Sequence, residues 1–258
     1  MMKLLLCGKG GCGKSTVTAL LAQSIAAKGC NVLVMDSNRS SFGLHRQLGL
    51  ELPEDFLSFL KSLNPFSKKQ EHGKEFEAKF KFFEPFWQLS DIPELYITRK
   101  GSLGLVSVGK FNVFEKNCAL PAPKLFISFL SKLKTGTKDF VLVDTEAIVE
   151  PFGGGLEQGC DLILMVLDHS YESIRLSEKV ANLCEKAGKK IYYIFNKVDG
   201  SNRTAMLGAI GKERVLSVIP PNEKLFQAGL VGREFDVFLP EIEGVASSLI
   251  SGKFHFSY

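Results

Sequence analysis

Apolar residues in this chain fall into two alternating patterns. Short, near-continuous apolar runs at 4–7, 31–35, 103–109, 140–144, 162–167, 190–195 and 215–219 read as strands buried on both faces. Between them lie stretches of helical periodicity. Val17, Leu20, Leu21 and Ile25 predict a helix over 14–28 that stops at Gly29. Leu125, Phe126, Phe129, Leu130 and Leu133 predict one over 121–134. Leu176, Val180, Leu183, Cys184 and Ala187 predict one over 171–187 that stops at Gly188. Two short helices, about 223–229 and 241–250, follow the last strand. Strands alternating with helices imply an α/β fold with a doubly wound, mostly parallel sheet flanked by helices. No internal repeat or low-complexity segment interrupts it.

Residues from about 50 to 101 break this rhythm. They combine Pro53, Pro65, Pro85 and Pro93 with Lys68, Lys69, Lys74, Lys79 and Lys81. Phe56, Phe59, Phe66, Phe76, Phe80, Phe82, Phe83, Phe86 and the single Trp87 are interleaved with them. The stretch reads as an insertion carrying one or two helices. Such a mixture can serve single-stranded nucleic acid. Aromatics packed on the core or on a second subunit, with lysines outside, is the favoured reading. The whole, 1–258, reads as one domain carrying this insertion.

Composition narrows the picture. Hydrophobic residues are 45% and charged residues 23%, an ordinary globular balance, and a net charge of +4 does not by itself argue for nucleic acid. Cys7, Cys12, Cys30, Cys118, Cys160 and Cys184 are scattered without a CxxC pair, so they read as reduced thiols. Met1-Met2-Lys3 before Leu4-Leu5-Leu6 has the start of a signal peptide, but the apolar run breaks at once into glycines, which argues against one. No run approaches the ~18 apolar residues of a membrane span. A cytoplasmic protein is expected.

The break after the first strand carries the chemistry. Gly8-Lys9-Gly10-Gly11-Cys12-Gly13-Lys14-Ser15-Thr16 matches G-x-x-x-x-G-K-[ST] in full, between a strand and a helix. The glycines let backbone N–H groups line an anion nest at the helix N-terminus. Lys14 is placed to reach β- and γ-phosphates, and the Ser15 hydroxyl to ligate Mg²⁺. Asp144, at the end of an apolar strand, suits the carboxylate that holds the Mg²⁺ shell; the alternative is a cap on the next element. Asp36-Ser37-Asn38 ends the second strand, where α/β sheets bind ligands.

Lys9 is not demanded by the general loop. K-G-G-x-G-K-S resembles the deviant phosphate loop of the MinD/ParA/nitrogenase-iron-protein class of ATPases. That resemblance implies a P-loop NTPase fold and makes Lys9 a signature lysine that crosses a dimer interface to the partner's nucleotide. A second block narrows it: Val143-Asp144-Thr145-Glu146-Ala147, then Asp161 to Val166 and Ser170-Tyr171-Glu172-Ser173, then Asn196-Lys197 and Ile219-Pro220-Pro221-Asn222-Glu223. Together these resemble the accessory ATPases of nickel-containing carbon monoxide dehydrogenase. The resemblance implies a homodimer that binds ATP or ADP with Mg²⁺, hydrolyses ATP, and serves a client metalloenzyme, with Ni²⁺ or Zn²⁺ at the dimer interface. It implies further that Asn196 contacts adenine, with Lys197 and the backbone at Pro220, Pro221 and Asn222 beside it. Asn196-Lys197-Val198-Asp199 also resembles the guanine-reading N-K-x-D of GTPases; the class match favours ATP.

Three departures qualify the resemblance. Asn38 stands where the branch carries the second Asp of D-x-D, which orients the attacking water; an amide carries no charge to polarise it, so slow hydrolysis is expected with Asp36 as the remaining participant. Cys118-Ala119-Leu120 replaces a metal-binding C-x-C, leaving one thiolate per subunit where a metal usually takes four ligands; Cys118 is a metal candidate against the plainer reading of a small apolar residue. Ile148 and Pro151 replace a Gly and a His after D-T-E-A. Two other functions compete. A positioning ATPase would carry a basic amphipathic helix or basic patch, yet 251–258 is nearly uncharged and Lys68 to Lys81 is mixed with glutamates. A nucleotide-dependent dimerisation switch with little hydrolysis would fit Asn38 and the incomplete cysteine pair. His45, His72, His169 and His255 have no ligand-like spacing.

Overall fold

The computed structural model describes residues 2–37, 43–63, 86–108, 122–145 and 155–254, without the side chains of 122 and 123. β1 (Met2–Gly8) leads through the glycine turn into α1 (Lys14–Ala27), β2 (Asn31–Asp36), the single turn α2 (Leu44–Gln47) and α3 (Phe56–Leu63). A short strand β3 (Thr98–Lys100) precedes β4 (Leu103–Ser107), α4 (Ala122–Lys132) and β5 (Asp139–Asp144). Then come β6 (Leu162–Leu167), α5 (Tyr171–Lys186), β7 (Lys190–Asn196), α6 (Gly200–Ile210), β8 (Val215–Ile219), α7 (Glu223–Leu230) and α8 (Pro240–Ser251).

Among the described residues the sheet has eight strands in the order β3-β4-β2-β5-β1-β6-β7-β8. Of these, only β3 runs antiparallel, against β4. β1 therefore sits centrally, between β5 and β6, and the chain winds outward from it on both sides. Alternation along β1 builds two cores. Leu4 and Leu6 face α1 and α8, while Leu5 and Cys7 face α3, α4 and α5. Both faces are covered, which is why the strands read as continuous apolar runs. The reversal of winding at β1 opens a crevice at the carboxyl ends of the strands, where such sheets take ligands.

The expected doubly wound sheet is therefore observed, with three differences. The strand expected over 103–109 ends at Ser107, and Gly109 lies outside the described residues. α6 is not visible as an apolar stripe because Met206 is its one buried residue; its start is instead marked by Asp199, whose carboxylate accepts from Ser201 N. β3 extends the sheet from a stretch that reads as insertion. In that insertion Phe56 and Leu60 of α3 are fully buried. Phe56 meets Phe129 of α4 edge-on at 4.8 Å, Trp87 meets Phe129 at 5.4 Å, and Phe59 stacks on Tyr96 at 5.0 Å. Phe56, Phe59, Trp87 and Tyr96 thus pack onto the core as favoured, each ring pair contributing beyond its area burial. Phe86 is exposed, with the Lys134 ammonium 3.2 Å from its ring centroid. Phe66, Phe76, Phe80, Phe82, Phe83 and the lysines from Lys68 to Lys81 lie outside the described residues.

Candidate functional site

The turn between β1 and α1 depends on glycine at two places for two reasons. Gly13 has φ 93°, and a Cβ there would strike Nδ2 of Asn196. Gly8 has φ 150°, and a Cβ there would strike the carbonyl of Val166. Gly11 also has positive φ but open space, and Gly10 needs neither.

Two donors at the end of β7 hold this loop from outside. Asn196 Nδ2 donates to Cys12 O at 2.9 Å, and Lys197 Nζ donates to Gly11 O at 3.0 Å. Lys197 itself has φ 61°, unusual for a residue with a Cβ. Holding the Cys12 carbonyl toward β7 turns the Gly13 N–H of the same peptide the other way, toward the start of α1, while the Cys12 N–H donates to Lys9 O at 3.3 Å within the turn. Cys12 is fully buried, and burial pushes its thiol up to about 11, so it packs the loop as a neutral group. Lys14 is buried, with Nζ donating to Lys9 O at 3.1 Å. Thr16, next to Ser15, is half-buried.

The acidic side of the crevice comes from sheet register. β2 and β5 pair Asp36 with Asp144, so the two strand ends lie side by side. Asp144 is wholly buried; its Oδ2 accepts from Ser15 Oγ at 2.6 Å and its Oδ1 from Thr18 Oγ1 at 3.3 Å. Burial pushes its carboxyl up to about 6, against the downward pulls of Ser15, Lys14 and Thr18. A desolvated carboxylate beside a serine hydroxyl is a hard-oxygen donor set that fits Mg²⁺. Ser37 ties the two strand ends together, its Oγ donating to Asp144 O at 2.8 Å.

Lys9 leaves the loop in another direction. Its ammonium lies 3.3 Å from Asp168 Oδ2 and 3.7 Å from Glu172 Oε2. Asp168 follows β6, and its Oδ1 accepts from Ser170 N at 3.1 Å, from Ser170 Oγ, and from Ser173 Oγ at 2.6 Å. Burial opposes ionisation of Asp168, but these donors and Lys9 outweigh it and pull the carboxyl down to about 2.

The structure therefore gathers Lys9, Lys14, Ser15, Asp36, Asp144, Asn196 and Lys197 around one crevice. The Pro220–Pro221–Asn222 turn lies beside Asn196: β7 and β8 pair Asn196 with Ile219, and Val198 N donates to Ile219 O at 3.1 Å. Asn222 spends its side-chain oxygen on capping α7 through Leu225 N. Asn38, Cys118, Leu120, Ile148 and Pro151 lie outside the described residues. Among the described residues no group of three or more His, Cys, Asp or Glu is placed to hold a metal, and Cys7, Cys12, Cys30, Cys160 and Cys184 are buried free thiols. No described helix is long and apolar enough to cross a membrane. Sequence reasoning missed Thr18, Ser37, Asp168 and Glu172. Asp168 did carry a signal, since it is an acidic residue at the end of a strand next to the loop strand.

Known proteins resemble this chain in sequence and in fold. The family model for the CobQ/CobB/MinD/ParA nucleotide binding domain matches residues 4–235. An uncharacterized ATP-binding protein of Methanocaldococcus jannaschii is 43% identical over 251 residues, covering 96% of this chain and 99% of its own. The carbon monoxide dehydrogenase accessory protein CooC of Rhodospirillum rubrum is 28% identical over 201 residues, covering 76% of this chain and 74% of its own. In structure, MinD in the MinC:MinD cell division complex of Aquifex aeolicus superposes with TM-score 0.69 at 22% identity, over 97% of this chain and 96% of that one. MinD of Pyrococcus horikoshii, solved with Mg-ADP, gives TM-score 0.68 at 20% identity, over 96% and 95%.

Proposed function

The chain belongs to the CobQ/CobB/MinD/ParA nucleotide-binding family, and we propose that within it this protein is a cytoplasmic, dimeric ATPase that assists assembly of a metalloenzyme. The observation that carries the ATPase reading is the convergence of Lys14, Ser15 and Asp144 beneath a loop clamped by Asn196 and Lys197. The accessory role is supported by the 28% identity to CooC together with the D-T-E-A block, Asp144 to Ala147.

In this reading the loop N–H groups and Lys14 bind the phosphates of ATP, and Ser15 and Asp144 hold Mg²⁺, directly or through water, with Asp36 beside them. Mg²⁺, when bound, neutralises charge building on the phosphate oxygens. Lys9 serves the partner's nucleotide across the interface. Asn196 and the turn at Pro220–Asn222 border the adenine, and Asp36 with Asn38 orients the attacking water. Because Asn38 carries no charge, turnover is slow. Cys118, paired with its copy across the interface, is the candidate ligand for Ni²⁺ or Zn²⁺.

Sedimentation with ATP, ADP or no nucleotide, with and without Ni²⁺ or Zn²⁺ and with phosphate release followed in parallel, tests the whole reading. ATP-dependent dimers with slow phosphate release are expected. Lys9→Ala should lose most of the dimer while the monomer still binds ATP. Retention of the dimer in that variant rejects the shared site. A metal effect that Cys118→Ala abolishes supports the accessory role. A second reading, a dimerisation switch with little catalysis, rests on Asn38; tight ATP-dependent dimers without turnover would establish it. Side-by-side titrations should show ATP binding tighter than GTP, and a GTP preference defeats the assignment of the base.

A further inference from the structure

We propose that Asp168, with Glu172 as an outer arm, parks the signature lysine Lys9 on its own subunit, so that shared-site assembly must first break this pair. The inference rests on the reading of Lys9 as a residue that crosses to a partner. The geometry assigns the parking role in three steps. Lys9 lies 3.3 Å from Asp168 Oδ2, and both side chains are largely withdrawn from water, at 23% and 16% exposure. The other carboxylate oxygen, Oδ1, is held by Ser170 and Ser173 at the start of α5, which leaves Oδ2 facing Lys9. Glu172, in the first turn of α5, reaches Lys9 at 3.7 Å, but at 69% exposure it contributes less.

The carboxylate does not become an orphan when the lysine leaves. Asp168 keeps the Ser170 N–H and the two serine hydroxyls, and it sits at the N-terminus of a helix, where negative charge is favoured. Release is therefore inexpensive and reversible, as a positioning residue requires. A dimer breaks two such pairs, so the effect on one subunit enters the association constant squared. A partly exposed pair worth about threefold then weakens the dimer about tenfold. The pairing also keeps an unliganded monomer from offering a free cation to a partner's phosphates.

The test uses the full chain. The rate of acylation of the Lys9 amine is measured in nucleotide-free protein by peptide mass mapping. Dimerisation with a non-hydrolysable ATP analogue is measured by sedimentation. Asp168→Asn should raise Lys9 acylation several-fold and tighten the dimer about tenfold. Glu172→Gln, which leaves the serine hydrogen bonds of Asp168 in place, should act in the same direction at about twofold. The gain should vanish when Lys9→Ala is combined with Asp168→Asn. Unchanged acylation in both variants, or a dimer gain that persists without Lys9, overturns the proposal. Absence of any dimer in the parent, with acylation still rising in Asp168→Asn, defeats the shared site and the gating while leaving the pairing intact.

Discussion

Asp144→Asn is expected to lower ATP turnover by about a thousandfold while making the nucleotide-free protein more stable than the parent. The two effects share one cause. Asp144 is wholly buried, and burial raises its carboxyl from 3.8 to about 6. An acid raised in the folded state binds protons more tightly there than in the unfolded chain. It therefore costs stability at any pH above its folded value, and the cost fades as pH falls through about 6 toward 4. Two pKa units correspond to roughly 3 kcal/mol. Asparagine keeps one oxygen to accept from Ser15 or Thr18, presents an N–H to the other hydroxyl oxygen, and removes the charge. Thermal unfolding in chelator at pH 7.5 should then show a higher midpoint for the variant, with the gap narrowing below about pH 6 and closing toward pH 4. The same lost charge is what would hold Mg²⁺, so turnover and Mg²⁺-dependent nucleotide binding fall together. Lower stability with normal turnover would remove Asp144 from the site.

Gly13→Ala should lower nucleotide affinity by about thirtyfold or more and lower the unfolding midpoint as well. A left-handed conformation costs an alanine about 1–2 kcal/mol. The new Cβ also strikes Asn196 Nδ2, which must move and release the Cys12 carbonyl. An unsatisfied buried carbonyl costs about 1–3 kcal/mol more. Gly11→Ala provides the contrast, since a Cβ there meets nothing within 4 Å. It bears only the conformational part, so its loss of affinity should be roughly tenfold. Titration with a fluorescent nucleotide checks both. Equal losses at the two positions would show that crowding by Asn196 is unimportant.

These two variants show where the chain's local code ends. The match at Gly8 to Thr16 names the glycines and Lys14 without any fold, because the chemistry of a phosphate nest fixes both residue types and spacing. It does not reveal that Gly13 is crowded by Asn196, a residue 183 positions later in the numbering. Nor does it reveal that Asn196 and Lys197 clamp the loop through its carbonyls. Asp144 was legible as a strand-end acid, whereas Thr18, its second hydroxyl donor, was hidden within a buried helix. α6 escaped because a helix with one buried residue leaves no periodic trace.

Local pattern alone identified the nucleotide loop, the parallel strands and the helices that bury an apolar stripe, which leaves out α2 and α6. Each rests on neighbours close in the chain: glycine φ freedom, apolar runs buried on two faces, and a period of 3.6. Only the tertiary structure decided which strand ends meet. Register placed Asp36 beside Asp144, and the winding outward from β1 brought Asp168 and Asn196 to the loop from the side of the sheet opposite Asp36. The direction of Lys9 belongs to this second class. A long, flexible ammonium has no conformation written in its own residues; it goes where the nearest fixed carboxylate is, and the fold put Asp168 there.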